Sequence, residues 1–122
     1  MGRLSTHVLD TSCGRPAAGV HIVLERLTPD GARQTLVTAT TNADGRTDGP
    51  LLGGAAFQAG SYEMTFHIGD YFRARQMALA EVALAEPAFL DRVPVRFQLE
   101  SDGNYHVPLL VTPWSYSTYR GS

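Results

Sequence analysis

A chain of 122 residues with 43% hydrophobic content is long enough to enclose one ordinary core and too short for two, so residues 1–122 are expected to form a single domain. Ten basic residues against twelve acidic ones leave a net charge of −2, with no basic stripe to hold a phosphate backbone, which excludes nucleic acid as a partner. The N-terminus lacks the roughly 7–15-residue apolar stretch of a secretory signal, and no segment approaches the roughly 20 apolar residues needed to cross a bilayer, so a membrane is excluded and the cytoplasm is the expected location.

Taken in chain order, Leu4 to Leu9 is the first predicted strand, followed by "TSCG", where the single cysteine, Cys13, sits among turn-forming residues. One cysteine makes no internal disulfide, and this one matches no thiol-enzyme signature, so the fold must be held by its core. Val20 to Leu27 and Gln34 to Thr41 read as strands. The breaks after them, "PDGA" and "NADGR", carry the Asp-Gly pairs that supply the positive φ of a tight turn.

Tyr62, Met64, Phe66 and Ile68 then alternate with Ser61, Glu63, Thr65 and His67, the period-two pattern of a strand with one face in a core. "QMALAEVALAE", Gln76 to Glu86, breaks the pattern with strong helix formers and stops at Pro87, which predicts one short helix. Val93, Val95, Phe97 and Leu99 alternate again. Pro94 within that run marks an edge or a strand beginning, since it cannot donate to a ladder. "SDGN" predicts a further hairpin before Tyr105. Short strands at this spacing argue for an all-β sandwich.

The last strand has two apolar faces: Tyr105, Val107, Leu109 and Val111 on one, His106, Pro108, Leu110 and Thr112 on the other. In the first strand His7 and Leu9 likewise share a face opposite Thr6 and Val8. A two-layer sandwich has one inside, so apolar residues on an outer face predict burial against another subunit, with His7 and His106 in the interface. The end, "WSYSTYRGS", is too aromatic for a disordered tail, and Tyr116 and Tyr119 are expected to pack.

Of the four histidines, His21 and His67 fall on polar strand faces and read as structural. His7 and His106 have apolar neighbours, and partial burial would bring an imidazole under local control, as a general acid or base requires. Arg46, after Asp44-Gly45, is either a surface arginine or a planar, permanently charged fork suited to an oxyanion or a ureide. No H-x-H, H-E-x-x-H or paired-cysteine spacing is present, so no metal ligands are named; nor is there a G-x-S-x-G elbow.

"STHVLDTSCGRPAAGV", "TTNADGRTDGPLL", "GSYEMTFHIGDYF" and "YHVPLLVTPWSYSTYRGS" together resemble the transthyretin-related 5-hydroxyisourate hydrolases, nearly end to end and in order, the terminal Tyr-Arg-Gly-Ser being the most specific mark. The resemblance implies a transthyretin-like sandwich of two four-stranded sheets with one short helix, assembled as a homotetramer that is a dimer of dimers. It implies the cofactor-independent hydrolysis of a small-molecule substrate, 5-hydroxyisourate, the unstable product of urate oxidation. The product would be 2-oxo-4-hydroxy-4-carboxy-5-ureidoimidazoline. The family's catalytic residues fall on His7, Arg46 and His106, and its substrate-binding tail on Tyr119, Arg120, Gly121 and Ser122; which histidine is the base stays open. The segment from Arg73 to Ala88 is several residues longer than is usual in the family. The rival reading is a transthyretin-like carrier of a small hydrophobic ligand in the tetramer channel, against which the three polar positions and the tail speak.

Overall fold

The computed structural model describes residues 2–79 and 87–121, with side chains described for all of these but 76–79. In chain order the strands are β1 (Arg3–Ser5), β2 (Val8–Asp10), β3 (Arg15–Pro16), β4 (His21–Leu27), β5 (Arg33–Thr40), β6 (Leu52–Gly53) and β7 (Gly60–His67). Helix α1 (Ile68–Leu79) follows, then β8 (Arg92–Leu99), β9 (Asn104–His106), β10 (Leu109–Val111) and β11 (Tyr116–Thr118).

One layer is the four-stranded antiparallel sheet β5-β4-β7-β8. Period two is legible in its burial: Ile22, Leu24, Tyr62, Met64 and Phe66 are fully buried, while the outward Glu63 stands between Glu25 and Arg96 in register. Hydrogen bonds from Arg96 Nε (2.8 Å) and from Arg33 offset the facing like charges. β8 is an edge strand, as Pro94 requires.

The other layer holds β11-β10-β2-β3, a second sheet of four strands, and β6-β1-β9. The first predicted strand is thus divided between β1 and β2, and the last between β9 and β10. The division is shallow, because the parallel partners keep one offset throughout: Leu4 faces Tyr105, Ser5 faces His106, Val8 faces Leu109 and Asp10 faces Val111. Across the gap Val107 N donates to Ser5 O and Leu109 N to His7 O, both at 2.9 Å. The two ends of the chain therefore run side by side as one parallel ladder. Inner residues Leu4, Val8, Leu109 and Val111 are fully buried and meet the first sheet in one apolar core.

Two expectations are corrected. "SDGN" does not close a hairpin: β8 belongs to one layer and β9 to the other, because Arg3–Ser5 has already claimed residues 104–106 as its parallel partner and Gly103 O accepts from Arg3 N at 3.1 Å. The helix begins at Ile68, eight residues before the predicted start, and residues 80–86 of the predicted span lie outside the described residues. Ile68, Tyr71 and Phe72 supply the i, i+3, i+4 apolar stripe that docks it. Ile68 also fits the period-two phase of the strand before it, which hid the change of period.

Candidate functional site

Three segments place the candidate side chains on the outer face of the ladder. Along residues 4–10 the chain alternates buried Leu4, Thr6, Val8 and Asp10 with half-buried Ser5, His7 and Leu9, so Ser5 and His7 point away from the core. Because β9 runs parallel to β1 in register, His106 lies directly opposite Ser5.

Arg46 is brought in by a turn built from local bonds and tied to the strand beside it by Val8 N, which donates to Gly45 O at 2.8 Å. Asn42 Oδ1 accepts from the backbone N–H of Asp44 (2.9 Å) and of Arg46 (3.2 Å), and Asn42 N donates to Arg46 O at 2.8 Å. Gly45, at φ 74°, lies so close to the first strand that a Cβ would stand 2.4 Å from Val8 O. Only glycine permits that approach, and it seats Arg46 beside His7 in a single antiparallel backbone bridge.

The result is a corner in which the His7 and His106 rings are 6.5 Å apart, centre to centre, at an interplanar angle of 45°. Arg46 is close enough for its charge to act on His106. Burial first, then Arg46, then His7 hold the His106 imidazole below the ordinary histidine range. His106 Nδ1 is 2.9 Å from Ser5 Oγ. The corner opens on a cleft of about 450 Å³ lined by Arg3, Ser5, Arg46, Asp48, Asn104 and His106, among others. That is room for a small heterocycle.

The tail is ordered, as expected. β11 pairs with β10, and Gly121 makes a two-way backbone bridge to His106, with Gly121 N donating to His106 O at 2.6 Å. A Cβ on Gly121 would stand 3.1 Å from both Cβ and Cδ2 of His106. Gly121→Val is therefore expected to tilt the ring or displace the tail, and to lower any turnover that depends on His106 by about tenfold or more. Steady-state kinetics beside a thermal melt checks this: the melt should hardly move, since the residue lies at the chain end.

Not every predicted residue reaches the cleft. Tyr119 and Arg120 line a separate cavity of about 240 Å³ with Val95 and Phe97, on the other side of Tyr105, whose ring lies 4.4 Å under the Arg120 guanidinium. Tyr116 and Tyr119 do not pack within the chain; they are 45% and 59% exposed. Ser122 lies outside the described residues. His21 and His67 face each other on the opposite sheet, ring centres 4.8 Å apart and remote from this corner.

Sequence reasoning missed Ser5 and Asn42. Ser5 shares the period-two face of His7, and Asn42 opens the Asp-Gly turn, so both signals were present. Among the described residues no three His, Cys, Asp or Glu side chains cluster as a metal site. A larger cavity of about 650 Å³ borders Cys13, Arg15, Tyr71 and Arg75. There Tyr71 already donates to the buried Asp10 (2.8 Å) and Arg75 Nε stands 3.6 Å from the same carboxylate, so its polar groups serve the fold.

Comparison with known proteins places the chain in a family and matches its fold. Residues 4–121 match the model of the HIUase/Transthyretin family. The chain is 57% identical to 5-hydroxyisourate hydrolase 2 of Rhizobium meliloti, over 99% of its own length and 97% of that protein. The solved 5-hydroxyisourate hydrolase of Klebsiella pneumoniae superimposes with a TM-score of 0.77 at 36% identity, each chain fully covered. An (S)-allantoin synthase structure gives a TM-score of 0.87 at 46% identity over 99% of this chain, which spans 44% of that longer one.

Proposed function

The chain belongs to the HIUase/Transthyretin family, and from that premise we propose that it hydrolyses 5-hydroxyisourate to 2-oxo-4-hydroxy-4-carboxy-5-ureidoimidazoline, with His7, Arg46 and His106 as its catalytic residues. The observation that carries this reading is that two imidazoles and a guanidinium from three separate segments meet at one corner, with Arg46 and His106 lining the small cleft beside it and His7 next to both.

Hydrolysis of a cyclic amide without a covalent nucleophile asks for three things: a base for water, a cation for the developing oxyanion, and an acid for the leaving nitrogen. His106 is the base. Its lowered pKa leaves it neutral at pH 7, with a lone pair to accept a proton from water as the hydroxide adds to the carbonyl carbon. Arg46 faces the oxygen on which negative charge collects. The tetrahedral intermediate collapses with cleavage of the C–N bond, the nitrogen takes a proton from a histidine, and the new carboxylate remains beside the guanidinium. The proton that the nitrogen takes is the one His106 removed from water, which returns the imidazole to its neutral form, and His7 orients the ureide. Gly121 backs the His106 ring, and the tail residues Tyr119, Arg120 and Ser122 are assigned to substrate binding.

The assembly is a homotetramer, a dimer of dimers. Half-buried Leu9 and Leu110 on the outer face of the ladder, with exposed Trp114, Tyr116 and Tyr119 nearby in sequence, support a partner surface there. The carrier reading has no comparable support, because the cleft is lined by charged and hydrogen-bonding groups.

The test generates 5-hydroxyisourate in place with urate oxidase and follows its ultraviolet decay with and without the protein. Acceleration over the spontaneous rate is expected; decay at the spontaneous rate would refute the assignment. Size-exclusion chromatography showing a monomer at working concentration would refute the assembly.

A further inference from the structure

We propose that Ser5 is a positioning residue that holds His106 in one tautomer, with the proton on Nδ1 and the lone pair on Nε2. The proposal deepens the hydrolase reading and rests on it. Three observations point to it. Ser5 Oγ is 2.9 Å from His106 Nδ1. Ser5 is opposite His106 in the parallel ladder, and its own carbonyl is fixed by Val107 N at 2.9 Å, so the hydroxyl is carried on rigid backbone. Ser5 and His106 both line the cleft.

A serine hydroxyl can donate to Nδ1 or accept from it, and the two choices give opposite tautomers. The charge of the site selects between them. With Nδ1 on Ser5, Nε2 makes no hydrogen bond among the described residues and is the nitrogen left for the cleft. A guanidinium nearby favours a lone pair there over an N–H, whose positive end would meet a cation. Ser5 Oγ therefore accepts from Nδ1–H. When Nε2 takes the proton from water that bond persists and becomes charge-assisted, which offsets part of the cost that Arg46 and His7 impose on an imidazolium. The other charged and titratable groups at or beside the cleft are Arg3 on β1, Asp48 beyond the Arg46 turn, and Tyr105 with Arg120 stacked on its far side. Of the groups at the cleft, the Ser5 hydroxyl is the one bonded to the ring.

Nitrogen-15 NMR of histidine-labelled protein, without substrate, reads the tautomer directly. The wild type is expected to show Nδ1 protonated and Nε2 unprotonated at His106, and Ser5→Ala to show a mixture of the two. In turnover, Ser5→Ala should lower kcat by about 10- to 100-fold, the usual scale for losing a partner that orients a working imidazole, with KM changed far less. Its acid limb should move to lower pH, because the imidazolium has lost an acceptor, and Ser5→Thr should restore both rate and limb. An Nε2–H tautomer in the wild type overturns the proposal, as does a Ser5→Ala enzyme with unaltered kcat and acid limb. Should Ser5→Ala fail to fold, the wild-type tautomer and Ser5→Thr still decide. A wild type that leaves 5-hydroxyisourate decay unaccelerated sinks the hydrolase reading instead, a result the NMR experiment cannot mimic.

Discussion

Arg46→Ala should lower kcat for 5-hydroxyisourate by about 10²–10³-fold, the loss seen when one oxyanion donor is removed from an acyl-transfer site. The side chain is exposed and sits on a turn built by Asn42 and Gly45, so truncating it removes no packing and the fold should be unmoved. A second consequence separates its charge from its mere presence. Arg46 is one of the groups that hold the His106 pKa below the histidine range. Without it that pKa rises toward about 6.5, the ordinary value. A base must be neutral, so activity is lost as pH falls through the His106 pKa, and the acid limb of kcat should shift upward in Arg46→Ala. The opposite shift is expected for Ser5→Ala. The measurement is kcat against pH with 5-hydroxyisourate generated in place. A residual rate within a few-fold of wild type, or a limb that stays put, would remove Arg46 from the mechanism.

Phe66→Ala is the largest expected loss of stability. Phe66 is fully buried on β7, between Ile22 and Val93 of the adjoining strands. Removing its ring forfeits transfer free energy and leaves a cavity that sheets paired on both sides cannot collapse to fill. The cost is about 3–5 kcal/mol, of the order of 10–20 °C in Tm for a domain this size. The residue is remote from the cleft, so the folded fraction should keep near-normal kcat. Circular dichroism melts at matched concentration, set beside turnover per folded molecule, check both halves of the expectation. A loss under about 1 kcal/mol would mean that the layers are not packed as described.

The alternation through Tyr62, Met64 and Phe66, the edge position of Pro94 and the tight turn before Arg46 were legible because each is a local matter: residue period, a missing N–H and a positive φ. The pairing of Ser5 with His106 was not, since it joins positions 101 apart in the chain. Nor was the crossing at "SDGN", which carries hairpin chemistry and yet passes between layers because Arg3–Ser5 competes for the strand that follows. The tail expectation divided in the same way. Its order was readable from aromatic content, but the direction in which Tyr119 and Arg120 face depends on Tyr105, a residue outside the tail.

Composition, period and turn chemistry by themselves determined that this chain is a β-sandwich protein, with His7 and His106 beside apolar neighbours on their strand faces and Arg46 at the end of an Asp-Gly turn. Tertiary structure alone decided that the first and last strands lie parallel in one ladder, that Ser5 meets His106, and that Arg46 bears on both histidines. The physical reason is range. Backbone dihedrals and side-chain period are settled within a few residues, whereas an imidazole's tautomer and proton affinity depend on whichever groups the completed sheet brings within a few ångströms.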